Sequence, residues 1–334
     1  MRHHERARAR MSSVIGLLGA VALVFGVVVV APSQPAAAAS AAIVPNHPSP
    51  MVVGSQFDPG NIISDAEFYN GSALNASQVQ AFLNQRVPSC DTWHAGSGSN
   101  QPPFTCLKDY SQAVPSMPAT QYCSAMSGGT LSAAQIIAAV GAACSISQKA
   151  LIVLLQKEQS LITDTWPWKV QYDKATGFSC PDTAPCDPSF AGFFYQVYYG
   201  ARQFQNYRIN AHNFNFRVGG TYNVQYHPNA SCGARQVTMS NAATAGLYNY
   251  TPYTPNASAL ANLYGTGDAC GAYGNRNFWR LWWDWFGSPT ASGADQMTQL
   301  YQSQGGATGW LGPATGAFQE STANGGGLLQ PFRS

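Results

Sequence analysis

Only two glutamates fall between Ser55 and Gly287, Glu67 and Glu158, and they are the first candidates for acid–base chemistry. Glu158 lies in the run Ser147–Thr163, whose apolar residues Leu151, Leu154, Leu155, Leu161 and Ile162 repeat with the i, i+3, i+4, i+7 spacing of one buried helical stripe. Counting seven from Leu151, four from Leu154 or three from Leu155 reaches Glu158, so the stripe predicts its side chain among apolar neighbours. A carboxyl group walled in this way resists ionisation, which is what a proton donor working near neutral pH requires. The competing reading is a structural acid paired with a buried base such as Arg202. Glu67 follows Ile62-Ile63-Ser64-Asp65 and reads as a surface or capping carboxylate in the first turn of a helix.

The remaining acids and the cysteines suggest architecture. Asp164, two residues before Trp166-Pro167, reads as a turn residue where a proline ends the helix. Asp173, Asp182 and Asp187 lack the regular ligand spacing of a calcium loop and read as turn chemistry. The eight cysteines, Cys90, Cys106, Cys123, Cys144, Cys180, Cys186, Cys232 and Cys270, show no C-x2-C spacing, and no histidines show H-x3-H spacing, which argues against zinc. No metal and no cofactor are expected. An even count behind an export signal argues for disulfides, with 105 possible connectivities. The expectation is sequential pairing: Cys90–Cys106, Cys123–Cys144, Cys180–Cys186 and Cys232–Cys270.

The elements that must position these residues begin after a leader. Arg2, Arg6, Arg8 and Arg10 precede an apolar run from Val14 to Val30, then Pro32, Pro35 and an alanine-rich stretch. Residues 1–39 therefore read as a secretory signal, and no stable membrane span is expected once it is removed. Without its four arginines and Glu5, the 17 bases and 15 acids of the chain become 13 and 14. No basic patch remains to suit nucleic acid. Residues 40–54 read as a linker, 55–287 as a cysteine-bearing block, 288–296 as a second linker and 297–334 as a short tail. Helices are expected at the capping-box patterns Ser77–Gln80 and Ser132–Gln135, from Ser147, over Phe194–Tyr207 and over Asn277–Phe286. Gly219–Tyr226 is the best strand candidate. The fold class expected is mainly α (α+β), with long disulfide-tied loops and a monomeric state.

Three segments carry a resemblance: Cys144–Leu161, Gly192–Val197 and Ala201–Phe204. Together they are similar to the lysozyme-like superfamily, in particular to goose-type lysozymes and soluble lytic transglycosylases. The resemblance covers roughly residues 144–253. It implies Glu158 as the catalytic acid, and Gly192, Tyr195 and Gln196 as a cleft segment. It implies Tyr222 and Asn223 as a Tyr-Asn element, and Tyr250 or Tyr253 as a later cleft tyrosine. The chain departs from the family pattern in three ways. Gln159 separates Glu158 from Ser160, an aromatic residue replaces the family's methionine, and the Gly192–Gln196 segment is one residue longer. Beyond the block, Gly305–Gly316 with Phe332 resembles one LGFP repeat, a unit of actinobacterial cell surfaces.

The resemblance implies a secreted or envelope-held enzyme cutting peptidoglycan or another envelope polysaccharide. The alternative is a non-catalytic envelope-binding protein of the same shape. Trp166, Trp168, Phe193, Phe194, Tyr195 and Tyr198 are candidates to stack on sugar rings. Phe194, Tyr198 and the Trp279–Trp285 cluster have the spacing of core packing.

Overall fold

The computed structural model describes residues 52–181, 184–291, 297–298, 301–302, 305–317, 319–321 and 327–333. The leader at 1–39, the linker up to Met51, Asp182 and residues 292–296 of the second linker lie outside them. Packing is under way by Val52, which is buried. Gly54 follows, lying so close to Leu260 that a Cβ would meet its carbonyl oxygen. At the far side Pro289 is still engaged, its carbonyl accepting from the Ser64 N–H at 3.0 Å.

The first helices are short. Helix α1 spans Asp65–Phe68 and α2 spans Ala76–Arg86. Helix α2 starts one residue before Ser77, with Asn75 as its cap and Gln78 completing the capping box. Leu74 before the cap and Val79 four residues after it are both buried, which is the hydrophobic staple that selects this start over the overlapping Ser77–Gln80 pattern. A hairpin follows, β1 (Ser111–Val114) antiparallel to β2 (Gly129–Ser132). Its strands are four residues long and mostly exposed, too short for a period-2 signal.

Helix α3 (Ala133–Cys144) begins at Ser132 with the capping box to Gln135. Helix α4 (Gln148–Gln159) begins after Ser147, but not by side-chain capping. The Ser147 hydroxyl is buried without a partner, while its N–H donates to Phe68 O at 2.8 Å. Gln148 secures the entry instead, accepting from Leu74 N at 3.0 Å and donating to Gly71 O at 2.6 Å.

The single stripe expected for α4 is replaced by burial on all sides. Ala150 through Leu155 are all buried, while Lys149 in the first turn and Gln156–Gln159 in the last are partly exposed. A helix apolar around its whole circumference runs through a core rather than along a surface. It packs against α3 and against α9 (Gly274–Phe286), so no solvated face exists between Ala150 and Leu155.

After α5 (Lys169–Asp173) comes the longest helix, α6 (Phe193–Ile209), whose Phe194 and Tyr198 are buried as their spacing predicts. The expected strand forms as β3 (Thr221–Gln225), antiparallel to β4 (Ala234–Thr238). Helices α7 (Ala242–Tyr250), α8 (Ala257–Ala261) and α9 (Gly274–Phe286) complete the block. On α9, Phe278, Trp279 and Trp282 are buried, so this cluster packs the core. In the tail β5 (Gln319–Ser321) pairs antiparallel with β6 (Gly327–Leu329), and Tyr301 stacks on Phe332 with ring centroids 4.8 Å apart. The described residues are thus helix-rich with three two-stranded sheets, an α+β composition.

Four disulfides join the cysteines in sequential order: Cys90–Cys106, Cys123–Cys144, Cys180–Cys186 and Cys232–Cys270. This fits an oxidising compartment. No helix among the described residues is long and apolar enough to cross a membrane.

Because α4 is the packing axis, Leu155→Ala should cost about 2–5 kcal/mol of stability, and Leu155→Met less than about 1.5. Urea unfolding followed by far-UV circular dichroism measures both.

Candidate functional site

Glu158 stands in the last turn of α4, where the helix leaves the core, and its side chain is 24 % exposed. Ser160 ends the helix in the left-handed region, with φ of 57°, a conformation uncommon for a non-glycine residue. The apolar walls expected around Glu158 are not its whole environment. Its Oε1 lies 2.6 Å from the Nζ of Lys157, whose own side chain is 6 % exposed. The pairing base is therefore the neighbouring lysine and not Arg202, which instead lies over the Tyr122 ring. Lys157 also donates to Thr251 Oγ1 at 3.1 Å, and its ammonium sits 5.9 Å from the centroid of the Tyr250 ring.

A tight loop from α5 closes the other side. Gly177 has φ of +73°, and a Cβ placed there would lie 3.4 Å from Glu158 Oε2. A side chain at this position would be both strained and pressed against the carboxylate. Gln196 holds this loop in place. Its Oε1 accepts from Thr176 N at 3.3 Å and Phe178 N at 3.1 Å; its Nε2 donates to Phe178 O at 3.0 Å and Phe190 O at 2.9 Å. Gln196 is only 1 % exposed, so the expectation that it contacts substrate is corrected. With its amide satisfied on both ends, it positions the backbone beside Glu158.

Tyr250 supplies the third wall. Its hydroxyl donates to Thr176 O at 2.6 Å, and its ring stacks on Phe204 at 5.0 Å. Burial first, and the Glu158 carboxylate second, push the phenol well above its ordinary value of 10, against the opposing hydrogen bond with Thr176. Of the two tyrosines the resemblance offered, Tyr250 is the one electrostatically coupled to Glu158. Tyr253 lies further along: its backbone bridges to Gln225, and its carbonyl accepts from Asn275 of α9 at 3.0 Å.

No family model matches this chain, and no curated protein or solved structure matches it either. The site is therefore read from its own geometry.

The other predicted residues fall into three places. Gly192 caps α6 with φ of 101° and open space where a Cβ would go, while Tyr195 is half-buried, stacked at 6.3 Å on Tyr199. Tyr199 in turn stacks on Phe178 at 5.8 Å, which links Tyr195 to the loop beside Glu158. Tyr222 and Asn223 lie on β3, where the Tyr222 hydroxyl accepts from Arg217 N at 3.0 Å; among the described residues neither touches Glu158 by a hydrogen bond, ion pair or ring contact. Trp166 is in the turn after α4 and is 38 % exposed.

The remaining carboxylates are engaged elsewhere. Asp164 closes the expected turn, accepting from Trp166 N and Gln171 Nε2, both at 2.9 Å. Asp173 pairs with Lys169, and Asp187 caps the short turn at Pro188–Phe190. Glu67 is buried rather than at the surface, 3.9 Å from Lys149. A cavity of about 510 Å³, lined by Leu74, Leu131, Ala139 and Gln148 among others, lies at the opposite end of α4 from Glu158. Thr176 and Gly177 had no sequence signal, since each acts through contacts between separate elements, and Lys157, although next to Glu158 in the chain, owes its burial to packing.

Two outcomes follow from this frame. Replacing Gln196 by alanine frees two backbone N–H groups and two carbonyls. It should cost about 2–4 kcal/mol and speed amide exchange at Thr176 and Phe178, read by hydrogen exchange. Tyr250 holds its proton in the folded state beyond the pH at which the unfolded phenol, near 10, releases it. Its contribution to stability is present below pH 10 and is lost as pH rises from 10 toward the folded value. Tyr250→Phe should therefore flatten the fall in Tm above about pH 10; an unchanged slope would remove Tyr250 from this role.

Proposed function

We propose that this chain is an exported enzyme that cuts the glycan strand of peptidoglycan, with Glu158 as its general acid and then its base. The observation that carries this reading is a carboxylate at the exit of a buried helix, reachable by solvent and framed by Lys157, Gly177 and Tyr250. The resemblance to goose-type lysozymes and lytic transglycosylases over 144–253 points the same way.

In its protonated form Glu158 hands its proton to the oxygen bridging N-acetylmuramic acid and N-acetylglucosamine. The C1–O bond breaks, leaving an oxocarbenium-like sugar. The carboxylate so formed lies beside the Lys157 ammonium. Asp164 and Asp173 are committed to turn and ion-pair contacts, so no second acid is free among these candidates to serve as nucleophile or water-activating base. The sugar's own 6-hydroxyl then attacks C1 while Glu158 recovers the proton, giving a 1,6-anhydro end without consuming water. The leader and the four disulfides agree with work outside the cytoplasm.

A second reading is favoured by one specific contact. The 2.6 Å ion pair with Lys157 occupies a carboxylate oxygen in the resting protein, which suits an envelope-binding protein that keeps the shape without the reaction. Digestion of purified sacculi separates the two. Glu158→Gln should lower muropeptide release on the order of 10²–10⁴-fold with sacculus binding retained. Equal release by wild type and variant, or none by either, rejects the enzyme.

A further inference from the structure

We propose that the loop closed by Cys90–Cys106, together with the 164–168 turn, forms a carbohydrate-binding platform that seats pyranose rings of a neutral β-linked aminosugar chain on Trp93, Trp166 and Trp168. The proposal takes from the reading of Glu158 only the identity of the polymer.

Three of the eight tryptophans are exposed here, Trp93 at 74 %, Trp166 at 38 % and Trp168 at 37 %. The four on α9 are buried or half-buried, as large apolar rings ordinarily are, and Trp310 in the tail is 73 % exposed. The two segments are joined and stiffened. Asp91 N donates to Thr165 O at 2.8 Å, and the disulfide ties the same loop at Cys90. His94 lies flat on Trp166, with centroids 3.8 Å apart and planes at 7°, and its Nδ1 is held 2.8 Å from Asp91 Oδ2. A rigid indole loses little conformational freedom when a ligand covers it, which is the economy of a preformed aromatic site.

The surroundings select the ligand. Asp91 and Asp164 flank the rings, and Lys169 is already paired with Asp173. Carboxylates flanking the rings, with the adjacent Lys169 held by Asp173, oppose an anionic lipid surface. It suits a neutral ligand with an apolar C–H face to lie on indole and hydroxyl or amide groups to meet carboxylates. The platform also adjoins Glu158 through a direct chain of contacts. Gln171 Nε2 donates both to Asp164 Oδ2 at 2.9 Å and to Gln159 O at 2.7 Å. A glycan lying across Glu158 therefore has an aromatic surface within the next turn of the chain.

Titration of the full chain with chitohexaose, followed by tryptophan fluorescence and calorimetry, tests the proposal. Wild type and Glu158→Gln should bind alike. Trp93→Ala and Trp168→Ala should each weaken binding about five- to tenfold with unchanged Tm. Trp93 is the safer of the two for folding, being the most exposed. Unchanged affinity in both variants, no binding of chitohexaose by wild type, or binding to phosphatidylglycerol vesicles instead would each overturn the platform. Sacculi still digested by a protein that fails this test leave the Glu158 reading standing. Tryptophan-dependent binding without digestion removes the enzyme and keeps the platform.

Discussion

Burial of α4 around its entire circumference sets the terms for everything at its end. From Ala150 to Leu155 the helix has no contact with water, so the chain passes from a fully apolar environment to a partly hydrated one within a single turn. Glu158 falls in that turn. A carboxylate two turns earlier would have to be desolvated at a cost of several kcal/mol, and one a few residues later would be an ordinary surface group. The packing of α3 and α9 on α4 is therefore what gives this acid its intermediate position. The ion pair with Lys157 belongs to the same boundary, since the lysine side chain is the more deeply covered of the two.

The frame around Glu158 comes from buried and half-buried residues. Gln196 has no exposed surface to offer a ligand, yet its amide bonds both sides of the loop that brings Gly177 against the carboxylate. Tyr250 reaches the same loop from α7 and closes it at Thr176. Three helices thus converge on the three-residue stretch Thr176–Phe178. Such an arrangement resists displacement because these hydrogen bonds are buried or partly buried, and a lost partner leaves an unsatisfied polar group behind. Thr251, which receives Lys157, is similarly fixed by Asn275 of α9.

The block has few charges, and its stability rests on aromatic packing and four short disulfide loops. That economy leaves the surface to asparagine, glutamine, serine, threonine and aromatic groups. Such a surface can meet a polymer of sugars through stacking and hydrogen bonds without a strong field of either sign. The tryptophans at the rim and those in α9 show how one residue type serves two ends. Stripe spacing on a helix buries the ring, and a disulfide-held loop presents it.

Several features were readable from residue order because they depend on local chemistry. The capping box at Ser132 and the turn at Asp164 form through contacts within a few residues, the aromatic stripe of α9 follows from helical spacing, and β3 pairs with the next strand in the chain. The sequential disulfides also join near neighbours, so short loops suffice to close them. The place of Glu158 on an apolar helix was legible as well, since it is a rare acid in that run. Its surroundings were not. Periodicity reports which side of a helix is apolar, but α4 is apolar all round, so the depth of Glu158 depended on where along the axis the core ends. The inward turn of Gln196, the bond from Tyr250 to Thr176 and the approach of Gly177 were decided by tertiary structure, because each joins segments that only the packed fold brings within reach; Lys157 is the sequence neighbour of Glu158, but its burial and its bond to Thr251 come from the same packing.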